Sequence, residues 1–307
     1  MSPGASGLAQ GIRRDSITLG LGPVTIRFAA ASRKNPLLVQ PAYLPFERAG
    51  SEADMEVECA VGRASPMAAP AVFDSNGVWE LRRDQAGREQ VYFPAKGDSP
   101  ARHMFTLTLE PGLLRARYVT IPTRLYEDAI PLGHPIDEYL VSRLLGRGRG
   151  FILHASAILT DGRALLFIGH SGAGKSTMAE VAHRAGGVVL TDERTIVTVE
   201  GAGVMAWGTP WHGSYVPCSA ANAPVEAGFL LVQDERDYLE GVDPAVAFSE
   251  CFVRTVQPTA DRDEVICTID VLQQVVRQIP VYSLHFQPTA AAYSLAREHG
   301  TIAAAGR

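Results

Sequence analysis

Gly169-His170-Ser171-Gly172-Ala173-Gly174-Lys175-Ser176-Thr177 follows an apolar run, Arg163–Ile168, and leads into a helical one, Ser176–Arg184. The string matches G-x-x-x-x-G-K-[ST], a pattern that sits between a strand and a helix. Its glycines allow successive backbone N–H groups to turn inward around phosphate oxygens. The N-terminus of the helix that follows favours negative charge at the same place. Lys175 is therefore expected to reach the β- and γ-phosphates of a nucleoside triphosphate, and the Ser176 hydroxyl to ligate Mg2+. The whole loop, Gly169 to Thr177, is the candidate nucleotide-binding segment. The chain holds only three lysines, Lys34, Lys96 and Lys175, and one of them falls here.

Upstream, Asp161-Gly162 separates the apolar runs Phe151–Thr160 and Arg163–Ile168, a strong two-residue hairpin signal. With Thr160 facing Arg163, His154 falls opposite Gly169, at the rim of the loop. A histidine there can hydrogen-bond phosphate or tune a neighbouring carboxylate, and the plainer alternative is a histidine satisfied within a strand. Downstream, Gly186-Gly187 can cap the loop helix, and Val188–Thr191 reads as a short buried strand ending in Asp192 and Glu193. In kinase chemistry one such carboxylate takes the acceptor's hydroxyl proton and another holds magnesium. A turn-capping role is the structural alternative for Asp192.

The remaining chain frames this segment. Its 307 residues allow two domains, and 46% apolar with 20% charged residues is the balance of a soluble globular protein. No apolar run reaches bilayer length, and Met1–Asp15 has no apolar core of a secretory signal, so no membrane partner is expected. Residues 1–16 read as a disordered tail. Residues 17–130 read as a small antiparallel β-rich N-terminal domain, with a hairpin connection at Asp84–Arg88. Residues 131–150 read as a helix and joint, with Pro135 at the first helical position, Asp137 and Glu138 in the first turn and Gly146 at the end. Residues 151–307 read as the domain that carries the loop. Cys59, Cys218, Cys251 and Cys267 are scattered without metal-ligand spacing, which fits a reducing cytoplasm. A formal net charge of −5 argues against broad nucleic-acid binding. Residues 1–150 carry 18 basic and 16 acidic side chains, and residues 151–307 carry 10 and 17.

Taken together, His154, the Asp161-Gly162 hairpin, Gly169–Thr177 and the Asp192-Glu193 pair resemble the HPr kinase/phosphorylase family over roughly residues 151–200. That family's α/β phosphate-loop core is related in fold to ATP-type phosphoenolpyruvate carboxykinase. The resemblance implies Asp192 as general base toward a hydroxyl, His154 as its partner at the phosphate, Lys175 as phosphate clamp, and Ser176 with Glu193 near Mg2+. The second carboxylate is Glu193 where the family usually has Asp. The family's later Glu-Ile-Arg-Gly signature, tied to reverse phosphorolysis, is absent, and Trp207-Gly208-Thr209-Pro210-Trp211-His212-Gly213 stands in its place. The whole chain is more similar to HPr-kinase-related proteins of modified-peptide biosynthesis, lasso-peptide tailoring kinases among them. The acceptor implied is a serine on a peptide or small protein, and the family implies a homo-oligomer.

The expectation is thus an ATP- and Mg2+-dependent serine kinase. Its alternatives are a small-molecule kinase on the same scaffold and a nucleotide-gated binding protein without turnover. The Trp207–Gly213 loop is a candidate recognition element, with aromatic core packing as the competing reading. Arg194, Arg254 and Arg262 are equal candidates for the cation that assists transfer.

Overall fold

The computed structural model describes residues 11–75, 78–93, 105–121, 129–201, 203–256 and 261–305. The chain divides into two compact units, residues 1–20 with 24–141, and residues 21–23 with 142–307. The division falls inside helix α1 (Ile136–Leu145), within the stretch read as helix and joint.

In the first unit, β1 (Ile12–Arg14), β4 (Leu37–Val39) and β11 (Ile130–Pro131) form a small sheet in the order β1-β4-β11. A second sheet holds β2 (Ser16–Leu21), β3 (Val24–Ala30), β5 (Met55–Val61), β6 (Ala71–Asp74), β7 (Glu80–Arg83), β8 (Glu89–Phe93), β9 (Phe105–Leu109) and β10 (Arg115–Thr120). Its order is β2-β3-β5-β10-β9-β8-β7-β6. Met55, Val57 and Cys59 of β5 are buried while Glu56 and Glu58 are exposed, the alternation of a strand with one wet face. The Asp84–Arg88 hairpin forms as expected. Arg83 pairs with Glu89, and the Asp84 Oδ1 accepts from the Ala86 and Arg88 N–H groups, each at 2.9 Å.

Two expectations for this region are corrected. Among the described residues regular structure begins at Ile12, inside the stretch read as a tail, because β1 finds a partner in β4. The large sheet is also not purely antiparallel, since β5 runs parallel to both β3 and β10. Parallel neighbours need long crossovers. Residues 31–54 supply one, through β4 and a 3-10 segment at Pro41–Phe46, and β6 to β9 supply the other.

The second unit contains β12 (Phe151–Leu153), β13 (Ala155–Thr160), β14 (Arg163–Ile168), α2 (Lys175–Arg184), β15 (Val188–Thr191), β16 (Thr195–Glu200), β17 (Gly203–Trp207), β18 (Asn222–Gln233) and β19 (Tyr238–Gly241). It continues through α3 (Pro244–Phe252), β20 (Thr255–Val256), α4 (Arg262–Gln278), β21 (Val281–Phe286) and α5 (Ala290–Ala305). The ten-stranded sheet runs β15-β13-β14-β18-β17-β16-β12-β20, with β21 beside β18 and β19 beside β21. β18 runs parallel to both β14 and β21. Along β14, Ala164, Leu166 and Ile168 join a buried cluster with α3 and α4, whereas Leu165 and Phe167 join another with α2 and α5. A strand covered on both faces reads as an unbroken apolar run, and Ala164–Ile168 is one.

The hairpin register is the one read from Asp161-Gly162, with Thr160 opposite Arg163 and Ala155 opposite Ile168. The expected single strand Phe151–Thr160 is, however, two. It breaks at His154, where β12 pairs with β16 and β20 while β13 pairs with β14 and β15. β18 runs for twelve residues and α4 for seventeen. Among the described residues no helix is long and apolar enough to cross a membrane.

Candidate active site

β14 ends at Ile168, the glycine-rich loop follows, and α2 begins at Lys175. The turn into the helix requires glycine at position 174. Its φ is +108°, and a Cβ there would lie 2.8 Å from the Phe286 ring at the end of β21. The Gln233 amide braces the loop by donating to the Gly172 carbonyl at 3.0 Å. Lys175 folds back over the loop, its Nζ donating to the carbonyls of Gly169 at 3.1 Å and His170 at 3.0 Å. Burial pushes its ammonium down to about 8, the nearby Arg194 and Arg254 charges adding to that and the Glu193 and Asp192 carboxylates opposing it.

Asp192, at the end of β15, is completely buried and fully engaged. Its Oδ2 accepts from the Ser176 hydroxyl at 2.7 Å and from the Tyr215 N–H at 3.0 Å, and its Oδ1 accepts from the Gly213 N–H at 2.7 Å. The structure therefore joins the loop hydroxyl to the strand-end carboxylate, two groups that the sequence placed sixteen residues apart.

Glu193 has different partners. Its Oε1 lies 3.7 Å from His154 Nε2 and 3.5 Å from Arg194 Nη1. The His154 imidazole, then the Arg194 and Lys175 charges, hold the Glu193 carboxyl down at about 2 against the opposing effect of burial. The 3.7 Å separation is longer than an ordinary hydrogen bond. The backbone at the β12–β13 break fixes His154, whose N–H donates to the Arg254 carbonyl at 2.8 Å. The register brings His154 to the loop end of the hairpin, but its side chain meets Glu193, whereas the resemblance paired it with Asp192.

The Trp207–Gly213 segment forms a wall of the site. Trp211 is buried and its carbonyl accepts from Thr191 Oγ1 at 3.0 Å, while Trp207 Nε1 donates to Thr198 Oγ1 at 3.0 Å. The tryptophans thus pack and anchor, and Gly213 meets the site. A Cβ on Gly213 would sit 2.9 Å from Glu193 Oε2, 3.2 Å from Asp192 Oδ2 and 3.4 Å from Ser176 Oγ. Sequence reasoning missed the Gly213 and Tyr215 N–H groups. The one available signal was a glycine closing an aromatic loop.

The three candidate arginines separate. Arg262 opens α4 and is exposed. Arg194 is half-buried beside Glu193. Arg254 lines a cleft that starts at His170 and Gly172, its Nη1 donating to the Glu250 carbonyl at 2.7 Å and to Glu250 Oε2 at 2.5 Å.

No protein-family model matches the chain, and no curated protein matches it. Among solved structures it is similar to the Hpr(Ser) kinase/phosphatase from Coxiella burnetii, with a TM-score of 0.32 and 12% identity, over 49% of this chain and 97% of that one. A likeness of that size leaves the site to be read from its own geometry.

Chemically, the site offers a glycine-rich loop and the Lys175 ammonium folded against it. Beside them it offers a hydroxyl and two carboxylates as hard oxygen donors, and an imidazole set against the more exposed carboxylate. Among the described residues no group of three or more His, Cys, Asp or Glu side chains stands ready to hold a metal. Ser176, Asp192 and Glu193 fit Mg2+, which takes one or two carboxylates plus phosphate oxygens and keeps several waters.

Proposed function

We propose that the chain is an ATP- and Mg2+-dependent kinase that transfers the γ-phosphoryl group to a serine hydroxyl of a peptide or small protein. The observation that carries this reading is the 2.7 Å hydrogen bond from Ser176 to Asp192, at the mouth of a loop that already encloses Lys175. Phosphate-loop enzymes hold magnesium with such a hydroxyl and a strand-end carboxylate. Ser176, Asp192 and Glu193 would hold Mg2+, which would supply positive charge against the phosphate.

The residues divide the remaining work. On nucleotide binding Lys175 exchanges its carbonyl partners for phosphate oxygens. Asp192 orients Ser176 and adds negative charge on the metal side. Asp192 is buried and its oxygens are taken up by three donors of the protein, so an incoming acceptor hydroxyl has no open approach to it. His154 and Glu193 are partly exposed and adjacent, which supports the imidazole as proton acceptor, with Glu193 stabilising the resulting cation. In the transfer the serine oxygen forms a bond to the γ-phosphorus as the bond to the bridging oxygen of ADP breaks. The hydroxyl proton passes to His154.

The test is phosphoryl transfer from γ-labelled ATP to serine-containing peptides. Lys175→Ala should lose nucleotide affinity, and Asp192→Asn should raise the Mg·ATP requirement. His154→Asn and Glu193→Gln should lower kcat with little change in nucleotide affinity. A kcat loss confined to Asp192→Asn would return the base to Asp192. Tight ATP binding with no transfer to any acceptor would point instead to a nucleotide-gated binding protein.

A further inference from the structure

A cleft of about 730 Å³ opens from the loop onto the sheet face that carries α3. Its loop end is formed by His170, Gly172 and Ala173. The Lys175 ammonium lies against the His170 and Gly169 carbonyls, and in a phosphate loop that ammonium marks the β/γ end of the nucleotide. The cleft therefore begins where the transferable phosphate would sit, and leads away from it. A space so placed suits the molecule that receives the phosphate.

Its lining is of two kinds. Leu230, Val232, Val242 and Val246 give apolar walls, with Val246 52% exposed. The charged groups are Glu240, Asp243, Glu250 and Arg254, so three carboxylates face one guanidinium. Glu250 is paired with Arg254. Asp243 caps α3 by accepting from the Ala245 N–H at 2.8 Å. Glu240 is 3.5 Å from His285 Nε2, whose other ring nitrogen faces Asp234 at 3.1 Å. Pairing Glu250 with Arg254 leaves two carboxylates, Glu240 and Asp243, at the outer part of the cleft. At the inner part, Arg254 Nε–H is buried with no acceptor, next to the loop.

We propose that this cleft seats the acceptor, and that it selects a serine flanked by a cationic side chain and an apolar one. The proposal rests on the kinase reading for its acceptor role. The cation would lie against Glu240 and Asp243, the apolar group against Val242 and Val246, and the hydroxyl would point to the loop end beside Arg254. An acidic flank would meet two like charges and bind poorly.

Fluorescence anisotropy with short labelled serine peptides tests this without any transfer step. The peptides differ only in carrying Arg, Gln or Glu beside the serine, and ATP affinity is measured on the same proteins. Wild type should prefer the Arg peptide to the Glu peptide by roughly tenfold in Kd, the scale of two partly exposed ion pairs. The double variant Glu240→Gln/Asp243→Asn should abolish that preference, asparagine still serving as helix cap. Val246→Trp should weaken all three peptides by filling the wall. If that variant does not fold, the double variant decides alone. An equal response to the three peptides, or a preference that survives the double variant, overturns the proposal. So does a Val246→Trp protein that loses ATP and keeps peptide, which would make the cleft the nucleoside's seat. A wild-type protein that keeps the Arg preference but binds no ATP would sink the kinase reading and leave the cleft's ligand class standing.

Discussion

The Lys175 ammonium is enclosed by the loop it serves, and that enclosure sets two opposite pH dependences. Its folded value of about 8 lies below the ordinary 10.5, so between those limits the unfolded chain holds more protons. This lysine's contribution to stability therefore rises with pH across that window. Phosphate binding needs the charged form and runs the other way. ATP affinity should weaken as pH rises through about 8, by at most about tenfold per unit for one proton, and Lys175→Met should flatten the profile. Titration calorimetry at stepped pH reads both, and a flat wild-type profile from pH 7 to 9.5 would remove Lys175 from the phosphate site. Gly213 makes a second argument at this scale. An added methyl would lie 2.9 Å from Glu193 and 3.2 Å from Asp192, and Asp192 is too tightly bonded to move. Gly213→Ala should lower transfer by about 10²-fold, the cost of misplacing reacting groups by about 1 Å, with some loss of melting temperature as well. The loop, Asp192 and Glu193 were all legible as residues, because each follows a local pattern. The Gly213 contact was not, because it depends on a backbone segment returning from elsewhere.

At the scale of elements, the β13–β14 hairpin sets the geometry of the site. Asp161 and Gly162 both have positive φ, +51° and +78°, as a two-residue turn matched to strand twist requires. Nothing lies within 4 Å of a Cβ built on Gly162, so Gly162→Ala isolates the backbone cost. It should lower stability by about 1–2 kcal/mol in a denaturant titration, without a change in ATP affinity. A larger loss would mean that the turn carries contacts beyond its own conformation. This register could be read from the sequence because turn type dictates which residues face each other. The break at His154 could not. Phe151–Thr160 has no glycine or proline to mark it, and the switch of partners from β16 and β20 to β14 and β15 is a property of the sheet.

For the whole molecule, the ties that count join distant parts of the chain. Arg143 of α1 and Glu264 of α4 are 121 positions apart, both buried, with Arg143 Nε donating to Glu264 Oε2 at 2.6 Å and Nη2 to Oε1 at 3.2 Å. Removing the carboxylate takes this two-point contact from a buried guanidinium. Glu264→Ala should therefore cost about 3–5 kcal/mol in unfolding free energy. A change below about 1 kcal/mol would show that water reaches Arg143. By itself the sequence determined the strand–loop–helix segment, the hairpin register and the α/β character of residues 151–307, because turn chemistry, apolar runs and helix caps act between residues a few positions apart. Only the tertiary structure decided that Asp192 binds Ser176 while Glu193 meets His154. It also decided that Arg254, and neither Arg194 nor Arg262, lines the cleft. Those outcomes rest on how ten strands are ordered and on where a loop twenty residues downstream returns, and no local pattern encodes such encounters.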